Sequence, residues 1–388
     1  MPKPLNIALI GTGFMGRAHS NAWMSVNKFF DLPRVAVMHT VCARESKDAH
    51  RFAGKWGWAK ATTDLGRVID DPTIDLVDIA TPNHLHAPQA VAALEAGKHV
   101  ACEKPLAGRL DDAQAMRVTA QRAKRRGIGT FVWFNYRRCP AVAFAHQLVR
   151  KGRLGRIYHV RAQYLQDWGG PQTSLSWRFD VSQAGSGAHG DLNAHIVDMA
   201  RFITADEITE IAGAIAKTFI TRRPLVDAGR GRKTRYGRST VDDCALFLAR
   251  FKSGAVGSFE ATRLATGNSN RNCMEINAER GSIKFDFERM NELLWWDNTL
   301  ESSLRGWSRI MCTNPGDHPY AEAYGPPGHP LGYDHQFISQ AADIIKAIAG
   351  RKPIVAVADF EDACRTQKVL HAALVSAREH RAVKISEV

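Results

Sequence analysis

An aspartate and a histidine with the spacing needed for acid–base chemistry follow a glycine-rich stretch at residues 185–190. Asp191 and His195 are four residues apart, and residues at i and i+4 lie on the same face of a helix. An aspartate in the first turn of a helix is favoured by the helix dipole and stays ionised. We therefore predict that Asp191 orients the His195 imidazole for proton transfer. A buried structural Asp–His pair is the alternative.

A lysine is the second candidate for proton chemistry. Lys104 stands in the sequence Glu103-Lys104-Pro105, directly after a predicted strand at residues 99–102. Ligands of open α/β sheets bind at the carboxyl ends of strands, so the ammonium group is predicted to face a ligand. A solvated loop lysine is the alternative. The residues leave open whether Lys104 or His195 accepts the proton.

The glycines near the start of the chain predict a nucleotide-binding turn. An apolar run at residues 5–10 indicates a buried parallel strand, and a G-x-G-x-x-G pattern leads from it into a predicted helix. Such glycines permit a tight turn, close approach of a pyrophosphate and packing of the helix on the strand. The predicted contacts of this turn with a dinucleotide are Gly11, Gly13, Phe14, Met15 and Gly16.

The end of the second predicted strand, residues 34–42, bears on the choice of dinucleotide. An acidic residue at this point would accept a hydrogen bond from a ribose 2′-hydroxyl. The chain instead has Ala43 and Arg44, followed by Glu45. The arginine admits a 2′-phosphate, while Glu45 is near enough to favour the free hydroxyl. We expect NAD to be the cofactor and NADP to be tolerated.

The periodicity of the chain predicts two domains. Strands and helices alternate over residues 1–135, which predicts an α/β Rossmann domain with a doubly wound parallel sheet that binds NAD(P). Strand candidates at residues 157–287 predict a C-terminal α+β domain, residues 136–388, with a large, mostly antiparallel open sheet for substrate binding and oligomerisation. One sheet face must be covered by helices or by a second subunit, so we expect a homodimer or homotetramer.

The net charge of +13 over 388 residues raises the question of a nucleic-acid partner. The basic residues are mostly dispersed, with one dense run of Arg222, Arg223, Arg230, Arg232, Lys233, Arg235 and Arg238. Glycines interrupt this run, which predicts a solvated, mobile loop; an anion-binding loop is the alternative. The chain shows no recognition helix or RNA-binding motif, so we expect no nucleic-acid partner.

The seven cysteines are scattered and form no C-x-x-C pair. This pattern predicts free thiols in a reducing cytoplasm, without a disulfide framework or a zinc site. The histidines at residues 318–335 fit no metal-ligand spacing, so no metal is predicted. No apolar run reaches the length of a membrane span, so we expect no membrane partner.

Four motifs in this order resemble the glucose–fructose oxidoreductase and inositol dehydrogenase (Gfo/Idh/MocA) family. They are the glycine turn, T-P-N-x-x-H at residues 81–86, E-K-P at 103–105 and D-x-x-x-H at 191–195. The stretches FNYRRCPA (134–141), GRLGRIYHVRAQYLQDW (152–168) and LSWRFD (175–180) resemble the branch that contains levoglucosan dehydrogenase.

The resemblance implies hydride transfer between NAD(P) and a ring hydroxyl of a sugar, anhydrosugar or cyclitol. By position it implies Lys104, Asp191 and His195 as catalytic residues and Thr81, Asn83, His86, Glu103, Lys104, Asn135 and Arg178 as cofactor contacts. Candidates for substrate binding are Gln166, Trp168, Trp177 and His335, since tryptophan stacks on the C–H face of a sugar. Core packing is the alternative for the tryptophans, and a cofactor-binding regulator without turnover is the alternative function.

Overall fold

The apolar run near the start of the chain forms a central strand of a six-stranded sheet in the computed structural model, which describes residues 2–226 and 234–388. The strands of this sheet are β1 (Lys3–Ile10), β2 (Arg34–Cys42), β3 (Lys60–Thr62), β4 (Leu76–Ile79), β5 (His99–Cys102) and β6 (Thr130–Val132). The helices between them are α1 (Phe14–Phe29), α2 (Ser46–Trp56), α3 (Leu65–Asp70), α4 (His86–Glu95) and α5 (Leu110–Lys124).

The strand order of this sheet is β3-β2-β1-β4-β5-β6, and the paired strands are parallel. The predicted doubly wound sheet is therefore confirmed. The order reverses between β1 and β4, and the crevice at such a reversal is where these sheets bind ligands. The glycine turn follows β1 and the T-P-N loop follows β4, so both predicted cofactor loops lie at this crevice.

The second sheet has nine strands and is mostly antiparallel, as predicted. Its strands are β7 (Ile157–Leu165), β8 (Ile208–Lys217), β11 (Cys244–Phe251), β12 (Val256–Thr262), β13 (Arg271–Ala278), β14 (Gly281–Asp286), β15 (Glu292–Asp297), β16 (Trp307–Met311) and β17 (Val383–Lys384). The order is β16-β15-β14-β13-β7-β12-β11-β8-β17, with β7 and β12 the parallel pair. A hairpin of β9 (Arg222–Pro224) and β10 (Tyr236–Arg238) and the helices α6 (Pro140–Arg150), α7 (Val181–Ala184) and α8 (Ala194–Thr204) accompany it.

The two faces of this second sheet differ in exposure. Along β11, Ala245 and Phe247 are buried, whereas Leu246 and Leu248 are 40% and 58% exposed. Helices α6 and α8 pack against strands of this sheet, and every residue of α8 is buried. Helices therefore cover one face, as one of the two predicted alternatives requires, and we call the other the outer face.

The last third of the chain contributes to both parts of the fold. Compact units form from Met1–Cys139 with Thr313–Cys364, and from Pro140–Cys312 with Arg365–Val388. The C-terminal helices are α9 (Ala321–Tyr324), α10 (Tyr333–Ile348) and α11 (Phe360–Glu379). Helix α10 joins the first unit because its buried face shares a hydrophobic core with β1 and α1. The functional division at residues 135 and 136 stays a prediction.

The basic run at residues 222–238 departs from its predicted solvated state at Arg223. This side chain is fully buried, lies in β9 and donates to the Asp243 carboxylate at 2.8 Å and to the Gly169 carbonyl at 2.9 Å. The solvated-loop prediction is wrong at this residue because Asp243 neutralises its charge. Arg230, Arg232 and Lys233 lie outside the described residues.

Within the described ranges, no helix has both the length and the hydropathy to cross a membrane.

Candidate active site

Two glycines of the N-terminal turn are required by close backbone contacts. Gly11 has φ +106°, and a Cβ on it would lie 2.6 Å from the Ala80 carbonyl oxygen. A Cβ on Gly16 would lie 2.2 Å from the Gly11 carbonyl oxygen. A side chain on Gly11 would push the turn away from the end of β4, and one on Gly16 would push α1 away from the turn, so these glycines set the close packing of the turn.

Gly13 has a different role from the other two glycines. It immediately precedes α1, and among the described residues no atom lies within 4 Å of a Cβ built on it. No described side chain caps the first turn of α1, and that turn carries no acidic residue. Amide groups at a helix N-terminus attract phosphate oxygens. The open space and the uncapped amides therefore fit the pyrophosphate of a dinucleotide, with Phe14, 57% exposed, beside them.

The ribose end of the predicted site is exposed. The Arg44 and Glu45 side chains are 94% and 68% exposed, and their charged groups are 3.9 Å apart. An ion pair this exposed contributes little, so both side chains are available to a ligand. The Ala43 N–H donates to the Thr62 carbonyl at 3.1 Å, which fixes the backbone beside them. The selection of NAD or NADP by these two residues of opposite charge stays a prediction.

His86 joins the loops that follow β4 and β5. Its Nε2 lies 2.9 Å from the Thr81 carbonyl oxygen and its Nδ1 lies 3.0 Å from the Pro105 carbonyl oxygen. Burial lowers the pKa of His86, so the ring is neutral and donates to one of these carbonyls. The Thr81 hydroxyl donates to Gln89 at 2.7 Å, and the Lys104–Pro105 peptide is cis. His86 thus holds the two predicted cofactor loops together from inside the protein.

A buried charged cluster contacts Glu103. The His19 Nε2 lies 2.9 Å from Glu103 Oε1, and its Nδ1 lies 3.1 Å from Asp78 Oδ2. Asp78 also accepts hydrogen bonds from the indoles of Trp23 and Trp133, at 2.7 and 2.8 Å. Burial lowers the pKa of His19, but attraction and hydrogen bonds to the two carboxylates outweigh it and raise the pKa to about 9. The ring is therefore an imidazolium at neutral pH.

The segment that carries Asp191 and His195 begins with a π-helical turn, residues His189–Asn193, which continues into α8. Such widened turns are frequent at functional sites. The Asp191 carboxylate accepts a hydrogen bond from Arg263 at 2.8 Å, and Arg263 is buried. His195 is buried as well. The orientation of His195 by Asp191 stays a prediction, and the structure adds Arg263 as a partner of the aspartate.

An amide-centred network ties the predicted sugar-binding residues together. The Asn270 side-chain oxygen accepts hydrogen bonds from the Tyr164 hydroxyl at 2.8 Å and from Gln166 Nε2 at 2.7 Å. The Trp168 indole donates to Gln166 Oε1 at 2.6 Å. The ring of Tyr164 lies 5.7 Å from that of His195. The second unit therefore connects Gln166, Trp168 and His195 through residues that the sequence analysis did not assign.

Arg263 links Asp191 to the network of hydrogen bonds around Gln166 and Trp168. Its guanidinium lies 4.9 Å from the centre of the Trp168 ring while it pairs with Asp191. It also donates to the Arg178 carbonyl at 3.3 Å. A single buried cation thus touches a predicted catalytic residue and a predicted substrate residue.

The side chains of four other predicted site residues have partners outside this network. The Arg178 guanidinium lies 4.5 Å over the Trp177 ring. In the first unit, Asn135 donates to Gln336 at 3.0 Å, and His335 Nδ1 accepts from the Gly332 N–H at 2.9 Å at the start of α10. His335 therefore lies in the unit of the predicted cofactor residues. The roles of these four residues stay predictions.

The sequence carries weak signals for some of the residues that were missed. His19 follows Gly16 by three positions on α1, a polar residue among mostly apolar buried positions. Tyr164 lies on β7, two positions before Gln166, which directly follows the strand. Arg263 and Asn270 show no such signal. Arg263 lies 72 positions from its partner Asp191, and Asn270 lies 104 positions from Gln166, so only the pairing of the strands brings each to its partner.

Comparison with known proteins places the chain in a family. Residues 5–130 match the domain described as oxidoreductase family, NAD-binding Rossmann fold, and residues 142–284 match the GFO/IDH/MocA C-terminal domain. A levoglucosan dehydrogenase from Pseudarthrobacter phenanthrenivorans is 43% identical over 355 residues, 89% of each chain. The chain belongs to the GFO/IDH/MocA oxidoreductase family. The predicted family and the predicted NAD-dependent oxidoreductase class are thereby confirmed.

Solved structures of this family extend the likeness to nearly the whole chain. An oxidoreductase domain protein from Kribbella flavida has a TM-score of 0.94 and 46% identity, with 99% of both chains covered. A levoglucosan dehydrogenase in complex with NADH and levoglucosan has a TM-score of 0.91 and 39% identity, with 98% of this chain and 99% of that chain covered. The GFO/IDH/MocA fold therefore spans both units, and NAD is the cofactor of the Rossmann domain.

Proposed function

We propose that this protein oxidises a secondary ring hydroxyl of a sugar or anhydrosugar, with levoglucosan as the first candidate, and transfers the hydride to NAD. The observation that carries the proposal is the near full-length likeness to levoglucosan dehydrogenase, 43% identical over 89% of each chain. A solved levoglucosan dehydrogenase is described as a complex with NADH and levoglucosan. The residues of the second unit suit such a substrate for separate chemical reasons.

A sugar ring presents hydroxyl groups around its edge and C–H groups on its faces. The half-buried Trp168 offers an aromatic surface for the C–H groups, and its N–H is already satisfied by Gln166. Amide and hydroxyl groups of Gln166, Asn270 and Tyr164 form a polar network, and such groups hydrogen-bond readily to sugar hydroxyls. Because this network is fixed by internal hydrogen bonds, it is preorganised to bind one hydroxyl pattern.

The proton chemistry is assigned to His195, Asp191 and Lys104. When bound, NAD supplies the acceptor for the hydride. His195 takes the hydroxyl proton as general base, and Asp191, held by Arg263, stabilises the imidazolium that results. The Lys104 ammonium stabilises the developing alkoxide. Exchange of the roles of His195 and Lys104 is the alternative, and separate pH profiles of their variants distinguish the two.

A substrate panel tests this function. The protein is assayed for NADH absorbance with levoglucosan, glucose and inositols, each with NAD and with NADP. We expect turnover of at least one pyranose or anhydrosugar with NAD. Tight NADH binding without turnover of any member of the panel would contradict the proposal and favour a regulatory protein.

We also propose that two copies associate through the outer face of the nine-stranded sheet. Pairing of β8, β11 and β12 places Ile215, Leu246 and Leu248 on this face with exposures of 66%, 40% and 58%. Apolar side chains on one continuous sheet face are typical of an interface. Light scattering should give a dimer or tetramer, and Leu248→Glu should shift it towards the monomer. A wild-type monomer at micromolar concentration would contradict this proposal.

The seven cysteines are free thiols in the structure, which supports a cytoplasmic location as a further part of the proposal.

A further inference from the structure

The buried cluster around His19 has no assigned part in the reaction. His19 and Asp78 are fully buried and Glu103 is nearly so. Among the described residues, the charged groups in contact with the ring are the two carboxylates, and the rings of Trp133 and Phe337 lie 4.3 and 5.8 Å from it. Burying three ionisable groups is costly, so a purely apolar packing of this site would be at least as stable. The cluster is therefore expected to have a role beyond stability.

The geometry of the ring requires a positive charge. Both ring nitrogens lie within hydrogen-bond distance of a carboxylate oxygen, at 2.9 and 3.1 Å. A neutral imidazole has one N–H, so it would turn a lone pair towards one of the carboxylates. The imidazolium donates to both. His19 therefore links strand β4, through Asp78, to the end of β5, through Glu103.

The link continues from Glu103 to the lysine proposed to act on the substrate. Glu103 Oε1 contacts His19, while its second oxygen, Oε2, accepts the backbone N–H of Lys104 at 3.2 Å. The Glu103 N–H donates to the Ile79 carbonyl at 2.9 Å, which anchors the residue to the sheet. The Glu103 carboxylate thus holds the Lys104 amide.

We propose that His19 is a positioning residue of the reaction, whose ring fixes the Glu103 carboxylate and thereby the backbone from which Lys104 extends. This inference rests on the proposed function, because Lys104 is catalytic only there. Without His19, the Glu103 carboxylate would be free to rotate away from the Lys104 amide. The backbone of Lys104, and with it the position of the ammonium group, would then be less well fixed. A displacement of about 1 Å in a catalytic group costs up to roughly 100-fold in rate.

Two substitutions separate positioning from stability. In His19→Gln the side-chain amide reaches the place of Nε2 and keeps a donor to Glu103. In His19→Asn the amide reaches only the place of Nδ1 and keeps a donor to Asp78. Both variants lose the positive charge and one hydrogen bond, so their stabilities should fall together. The control Trp23→Phe removes a donor to Asp78 without touching Glu103, and it should lower Tm while leaving kcat unchanged.

We expect His19→Asn to lower kcat by roughly 10- to 100-fold and His19→Gln to lower it by less than about threefold, with similar Tm values for both. KM for NAD should change little in either variant, since neither substitution alters the glycine turn at residues 11–16. If kcat falls equally in both variants, in step with Tm, His19 is a structural residue only and the proposal is overturned.

A second measurement does not depend on activity. Glu103–Lys104 is the only Glu–Lys step in the chain, so labelling Glu carbonyls with ¹³C and Lys nitrogens with ¹⁵N gives one carbon-detected correlation. This resonance should move in His19→Asn and stay close to its wild-type position in His19→Gln and Trp23→Phe. In the wild type it should titrate together with the His19 ring. An unmoved resonance in His19→Asn refutes the positioning role.

The two measurements also separate this inference from the proposed function. If wild-type protein oxidises no sugar, the proposed function fails, while the Glu103–Lys104 resonance still decides whether His19 holds the lysine backbone. If the wild type is active and the resonance is insensitive to His19, only the positioning role fails.

Discussion

The pH dependence of stability between pH 6.5 and 8.5 is expected to carry the signature of the His19 imidazolium. Its pKa is about 9 in the folded protein, against an ordinary value of 6.5 in the unfolded chain. The folded state therefore holds the proton more tightly. The stabilisation is fully present below pH 6.5 and is lost as the pH rises through 9.

The magnitude follows from these two pKa values. At about 1.4 kcal/mol for each tenfold change in proton affinity, the full contribution is about 3 kcal/mol, of which about 2 kcal/mol disappears between pH 6.5 and 8.5. Burial lowers the pKa of other histidines, such as His86 and His189, so these residues change the free energy of unfolding only below about pH 6.5. Burial raises the pKa of the Cys42 thiol to about 11, so cysteines lower stability only once unfolded thiols ionise, near pH 8.5 and above.

Urea unfolding at closely spaced pH values measures this change, and NMR of the histidine rings measures the folded pKa directly. His19→Gln removes the titrating ring, so the part of the slope that belongs to His19 should vanish in that variant. A His19 ring that titrates at or below pH 6.5 would refute the reasoning. So would a wild-type slope equal to that of His19→Gln.

Three further predictions concern the cofactor and the second unit. Arg44→Ala should weaken NADP binding by about tenfold and NAD binding much less, since a cation near a 2′-phosphate is lost; equal losses in titrations of both nucleotides would place Arg44 elsewhere. His195→Ala and Lys104→Met should each lower kcat by about 10²–10⁴ with NADH affinity little changed. The double variant Asp191→Asn/His195→Ala should be about as slow as His195→Ala alone, and a kcat loss equal to the product of the two single losses would show that the residues act independently. Arg263→Met should lower kcat by about tenfold or more because Asp191 loses its buried partner, and Arg263→Lys should recover part of it; equal activity of Arg263→Met and wild type would remove Arg263 from the site.

The sequence by itself determined the parts of this protein that depend on neighbouring residues. Gly16 identifies the turn because only glycine fits its contact with the Gly11 carbonyl, five positions earlier, and Gly11 does so because its φ of +106° favours glycine. Alternating strands and helices predict the parallel sheet, since each helix must return the chain to the same edge. The alternating burial along β11 likewise follows from local periodicity. For the same reason the family motifs could be read in order along the chain.

Tertiary structure alone decided which charged groups meet. Asp78 and Glu103 reach His19 from 59 and 84 positions away, and Arg263 reaches Asp191 from 72 positions away. Whether such residues meet in space depends on strand order and register, which no local sequence pattern encodes. Arg223 belonged to a basic run by composition, yet Asp243 makes it a buried, neutralised residue. The role of a charged side chain depends on the partner that folding brings within about 3 Å, because the electrostatic interaction weakens with distance and with exposure to water.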